Sequence, residues 1–96
     1  MTHEERTATD RRLARIEGQI RGIRRMIAEG AYCCDALNQI AAASAALNQV
    51  AVQVASSHIR HCVVAHNASE SHPDAVPMTR EALVDELDEV LRRLMR

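Results

Sequence analysis

The chain has 96 residues, one of them aromatic (Tyr32), three of them cysteine, with no lysine and a formal net charge of −1. No apolar run reaches the length of a membrane span, and a single small domain without Phe or Trp has little bulk for a core, so burial through self-association is expected. The first residues, Met1-Thr2-His3-Glu4-Glu5-Arg6, lack the pattern of a secretory signal, so a cytoplasmic location is expected. In a reducing compartment an odd cysteine count excludes a closed disulfide framework and points to metal or thiol chemistry.

In chain order, residues 1–9 are polar and read as a flexible arm. From about residue 10, Leu13, Ile16, Ile20, Ile23 and Ile27 recur at steps of three and four, the pattern of an amphipathic helix. Gly30 is placed to end it. Gly18 and Gly22 form a small-xxx-small pair, which in a soluble helix most often admits a close neighbour. The polar faces of this helix carry Arg11, Arg12, Arg15, Arg21, Arg24 and Arg25 against a single Glu17, a local charge of +5 on a nearly neutral chain. A solvated face is the common meaning of such charges. Six arginines without a compensating i,i+4 glutamate pattern repel one another, however, and contact with phosphates explains them better. No helix-turn-helix or zinc-finger pattern accompanies them.

A second helix is predicted from Cys33 or Cys34 to about His66, with no Gly or Pro inside. Its apolar seam reads Leu37, Ile40, Ser44, Leu47, Ala51, Val54 and His58, a heptad stripe that marks packing along its length against another helix. His58 and then Cys62 continue the stripe. Residues 67–78 hold both prolines and read as a loop; Thr79 is a fitting N-cap. A third helix follows with Leu83, Leu87, Val90, Leu91 and Leu94 on one face, acids early, and Arg92, Arg93 and Arg96 late, in agreement with the helix dipole. The reading is an all-α domain, 1–96, of three helices.

The chemistry concentrates in His58-Ile59-Arg60-His61-Cys62 and in Cys33. A histidine and a cysteine four apart on a helix share one face, which makes half a site for a soft or borderline metal. Taken singly, each is more often a buried thiol or a hydrogen-bonded ring. Cys33 lies about 37 Å from His58 along one continuous helix, too far to share an ion within the chain. An antiparallel pairing centred near Leu47 brings Cys33 of one protomer to His58 and Cys62 of its partner, twice per dimer. Two thiolates and an imidazole favour Cu(I), whereas Zn(II), Ni(II) or Co(II) would want a fourth ligand from His3, His61 or His66. Cys34 points about 100° away from Cys33 and reads as a bystander. Tyr32 is placed to support the ligands by a hydrogen bond.

Arg12-Leu13-Ala14-Arg15-Ile16-Glu17-Gly18-Gln19-Ile20-Arg21-Gly22-Ile23, then Met26-Ile27, Tyr32-Cys33, Leu37-Asn38-Gln39-Ile40 and His58-Ile59-Arg60-His61-Cys62-Val63 resemble the copper-sensitive operon repressor family over about residues 10–65. The resemblance implies an antiparallel four-helix-bundle dimer assembling as a dimer of dimers. It also implies a Cu(I) site of Cys33, His58 and Cys62 supported by Tyr32, and a basic DNA surface that includes Arg15. The supporting glutamate expected near the third helix falls on Met78 by straight counting, with Glu81 the nearest acid. His3 is similar to the histidine that nickel and cobalt sensors of the family recruit; persulfide sensors carry both cysteines but lack the histidine.

The expected function is therefore a metal-responsive repressor, not an enzyme, whose apo form holds operator DNA through Arg12, Arg15, Arg21, Arg24 and Arg25 and leaves it on binding Cu(I). The alternatives are a Ni(II)/Co(II) sensor using His3, a thiol or persulfide sensor, and, in another class, a metal-buffering helical bundle with no DNA role.

Overall fold

The computed structural model describes residues 1–95, so the expected contribution of Arg96 to the last helical turn lies outside the described residues. Three α-helices follow in order, α1 (His3–Ala28), α2 (Cys33–His58) and α3 (Arg80–Leu94). A π-helical segment, Ile59–Val64, continues directly from α2, and no strand occurs among the described residues. The all-α reading holds. None of the three helices is long and apolar enough to cross a membrane.

Two helix boundaries differ from expectation. α1 begins at His3 rather than near residue 10, so most of the arm expected to be loose is helical. The reason is local. Thr2 Oγ1 accepts the Glu5 N–H at 3.1 Å, and Glu4 and Glu5 sit in the first turn, where the helix dipole favours acids. α2 ends at His58, and the helical path then widens into the π segment, with the Ala65 N–H donating to the Arg60 carbonyl at 3.2 Å. That i→i+5 spacing leaves no mark in hydrophobic periodicity.

Residues 6–53 form one unit, most of α1 and α2 with the turn between them. The turn is a Schellman closure: the Gly30 N–H donates to Ile27 O at 3.2 Å and the Ala31 N–H to Met26 O at 2.9 Å. It needs a left-handed residue at Gly30, whose φ is +70°, and glycine takes that conformation without steric cost. Ile16 on α1 and Ala36, Ala43 and Val50 on α2 are the buried side chains. The three α2 residues recur every seventh position, on the edge of the predicted seam rather than in it. Leu37, Ile40 and Leu47, which are the seam, stay exposed, as do Ile20 and Ile27 of α1. At Gly22 nothing lies within 4 Å of where a Cβ would stand, so no neighbour within the chain explains the small-xxx-small pair.

The other unit comprises residues 1–5 and 54–95. Its core is Cys62, Ala75 and Leu83, with Val63 and Met78 packed against them. The chain between the π segment and α3 runs through successive turns, one of them using Asn67 at φ 67°, a conformation asparagine tolerates better than most residues. Side chains close the open helix end: the Ser71 hydroxyl donates to His61 O and Ala65 O (2.8 and 3.3 Å), and Arg80 Nη2 donates to Val64 O at 3.3 Å. Thr79 caps α3 as expected, its Oγ1 accepting the Ala82 N–H at 3.1 Å. Leu83 is fully buried, while Val90 and Leu94 on the same predicted stripe are exposed.

Candidate metal centre

The π-helical segment determines how the two clustered candidate side chains, His58 and Cys62, are presented. With about four to five residues per π turn, side chains four positions apart stack closely. His58, the last residue of α2, and Cys62, inside the π segment, accordingly line one open cavity of about 370 Å³, together with His72, Met78, Leu83 and Glu86. Cys62 is 3% exposed, and its Sγ accepts the His72 N–H at 3.4 Å. The donor set and the apolar walls fit a soft ion. Among the described residues no three His, Cys, Asp or Glu side chains stand close enough to hold a metal.

Cys33 and Cys34 open α2 in the other unit and are both exposed, so burial does not separate ligand from bystander. Tyr32, just before them, is 70% exposed; its carbonyl accepts the Asp35 and Ala36 N–H groups. Glu81, proposed from sequence to support the ligands, sits exposed in the first turn of α3 and does not line the cavity. The acids that do are Asp74, in the loop before α3, and Glu86, one helical turn after Leu83. The i,i+3 relation to a buried leucine was available in the sequence; what hid it was the length of the preceding loop, which leaves the register of α3 open.

His61, one of the proposed extra ligands, is otherwise engaged. Its Nε2 lies 2.8 Å from Glu5 Oε1 and its Nδ1 2.8 Å from Glu70 Oε2. Both ring nitrogens face carboxylates, and neither is left for a metal. His66 Nε2 donates to Ala75 O at 3.1 Å. His3 stands in the first turn of α1, exposed, and does not line the cavity. Glu5 also lies 3.7 Å from Arg60 Nη2. The adjacent Ser57 hydroxyl, the His61 ring and Thr2 hold the Glu5 carboxyl at a pKa of about 2, well below the usual carboxylate value. The Ser57 hydroxyl, fully buried, influences Glu5 without reaching full hydrogen-bond geometry. Nothing in the sequence singled out Glu5, because its partners lie far along the chain.

In the unit 6–53, Arg12, Arg15, Ile16 and Gln19 of α1 and Ala46 and Gln49 of α2 line a groove of about 510 Å³. Arg11, Arg21, Arg24 and Arg25 also stand on this helix. None of these six arginines makes an ion pair with a carboxylate among the described residues. The unneutralised stripe expected from sequence is thus present as free guanidinium groups.

An all-helical chain with a histidine and a cysteine lining one cavity and a stripe of arginines without acidic partners has the parts of a metal-responsive DNA-binding regulator. The family model for metal-sensitive transcriptional repressors matches residues 5–93, and the chain belongs to that family. It is a metal-responsive repressor, and membership implies DNA binding and oligomerisation. Among its relatives, the copper-sensing transcriptional repressor RicR of Mycobacterium tuberculosis is 46% identical over 72 residues, 75% of this chain and 74% of that one. The crystal structure of the copper-sensing repressor CsoR with Cu(I) from Geobacillus thermodenitrificans superposes with a TM-score of 0.81 at 35% identity, covering 100% of this chain and 92% of that one. A variant of the formaldehyde-responsive regulator FrmR from Salmonella enterica serovar Typhimurium gives a TM-score of 0.76 at 27% identity, over 96% of each chain.

Proposed function

We propose that this repressor is a cytoplasmic Cu(I) sensor, not an enzyme. In this reading Cys33 of one protomer, with His58 and Cys62 of its partner, holds the ion and releases the protein from operator DNA. The observation that carries the reading is the half-site: His58 and Cys62 line one apolar-walled cavity, and no third ligand stands close enough among the described residues. A further soft ligand is what a second copy provides through Cys33, which stands exposed at the start of α2. Cu(I), when bound, supplies a preference for few, soft ligands, which two thiolates and one imidazole satisfy. Glu86 takes the supporting role first assigned to Glu81, beside His58 in the same cavity. Tyr32 keeps its place next to the completing cysteine.

The exposed seam of Leu37, Ile40, Leu47 and Val54 supports an antiparallel four-helix-bundle dimer, and the exposed faces of α1 and α3 support a dimer of dimers. Arg12, Arg15, Arg21, Arg24 and Arg25, without acidic partners, are the residues we assign to operator phosphates. Coupling between metal and DNA is reciprocal, so operator binding weakens metal affinity by the same factor. The test is a Cu(I) titration of operator binding. Release at one Cu(I) per chain is expected; undiminished operator affinity at full Cu(I) occupancy, with release by Ni(II) or Co(II) instead, would move the assignment to those ions.

A further inference from the structure

We infer that Glu5, His61 and Glu70 form a strap that couples the ligand-bearing π segment to the start of α1, making His61 a positioning residue rather than a ligand. The inference rests on the copper reading above for what the segment binds. A π turn is a rarely populated backbone state and persists where surrounding contacts hold it. Here the contacts converge on one residue in the middle of the segment. The His61 ring is gripped at both nitrogens, by Glu5 Oε1 and Glu70 Oε2, each at 2.8 Å, and its carbonyl accepts the Ser71 hydroxyl at 2.8 Å. Next to it, Cys62 Sγ accepts the His72 N–H, so the same stretch of chain, residues 70–72, touches both the strap and the ligand.

At its other end the strap is anchored firmly. Glu5 is fixed by the Thr2 hydroxyl, which donates to Glu5 Oε1 at 3.3 Å, and by the reciprocal cap bond from the Glu5 N–H. Arg60 adds a longer contact to the second carboxylate oxygen, 3.7 Å away. Met1, just before this turn, lines the same cavity as His58 and Cys62. α1 is continuous from His3 through the arginines, so the first turn gripped by His61 belongs to the helix that carries the basic stripe. A shift of Cys62 on taking a metal therefore pulls on His61 and, through Glu5, on α1. Breaking the strap should leave both ligands and both binding surfaces in place while loosening the connection between them.

The experiment measures operator affinity of the full-length protein with and without Cu(I), together with Cu(I) affinity by chelator competition. It compares wild type with Glu5→Gln, Glu70→Gln, His61→Gln and Glu5→Asp. Relative to wild type, Glu5→Gln and His61→Gln are expected to lower the ratio of apo to Cu(I)-bound operator affinity by about tenfold, within the range of measured coupling factors. Cu(I) affinity and apo operator affinity should each change by less than about threefold. Glu5→Asp, which keeps a carboxylate, should retain a ratio between wild type and Glu5→Gln. Glu70 is the exposed end of the strap, and its replacement does not threaten folding, so Glu70→Gln alone must also lower the ratio. An unchanged ratio in Glu5→Gln and Glu70→Gln overturns the strap, as does a fall in Cu(I) affinity large enough to account for the smaller ratio. A wild-type protein whose operator affinity ignores Cu(I) overturns the copper reading itself, and the strap with it.

Discussion

Glu5 and His61 meet at 2.8 Å across 56 positions of sequence, joining the first turn of α1 to the π-helical segment that carries Cys62. This contact makes the N-terminus part of the site's surroundings rather than a free arm, and it gives the protein a measurable acid signature.

The Glu5 carboxyl titrates at about 2 in the folded chain against an ordinary value of 4.5. A lowered folded-state pKa means that the ionised group favours the fold. Its contribution is complete above pH 4.5 and disappears as pH falls from 4.5 towards 2. Acid titration followed by circular dichroism should show Glu5→Gln less stable than wild type near neutral pH, with the difference vanishing in that window.

Leu83 is fully buried against Cys62 and Ala75. Leu83→Ala should cost about 2–5 kcal/mol in denaturant unfolding, the range for a core leucine. Because Leu83 also lines the cavity, Cu(I) affinity should fall with it, whereas Leu94→Ala, at an exposed position, should leave both nearly unchanged.

Arg15 borders the groove with no carboxylate partner. Arg15→Ala should weaken binding to operator and to unrelated DNA alike. It should also reduce the slope of log affinity against log salt by about 0.9 for each phosphate it no longer neutralises, with Cu(I) affinity unaffected.

Leu47 is half exposed at the centre of the seam. Leu47→Glu places a charge where two copies are proposed to pack. Sedimentation should show dissociation at concentrations where wild type is associated, because each buried leucine contributes about 1.5–3 kcal/mol to the assembly.

If the metal site spans two chains, Cys33→Ser and Cys62→Ser proteins fail singly for different reasons. Refolding an equal mixture creates heterodimers in which one site keeps all three ligands, so about a quarter of the wild-type site number should return, half the dimers being mixed with one of two sites intact. Recovery of no high-affinity Cu(I) binding in the mixture would overturn the intersubunit site.

The sequence alone determined what is local. Periods of three and four set the three helices, Gly30 and Thr79 set their ends, and the near-absence of acids among the α1 arginines set the basic stripe. Capping, left-handed turns and amphipathic spacing act within a few residues, so they can be read from the chain directly. The pairing of His58 with Cys62 was readable for the same reason, since four residues make about one helical turn.

Only the tertiary structure decided the rest. It showed that α2 buries Ala36, Ala43 and Val50 beside the seam, leaving Leu37, Ile40 and Leu47 open. It placed Asp74 and Glu86, rather than Glu81, in the lining of the cavity and set both ring nitrogens of His61 against carboxylates. Each of these depends on which of several locally equivalent residues meets a partner from a distant stretch of chain. Hydrophobic spacing assigns a residue to a helix face; it does not say how a turn-rich loop resets the next helix, nor that a glutamate in the first turn will grip a histidine in a π turn.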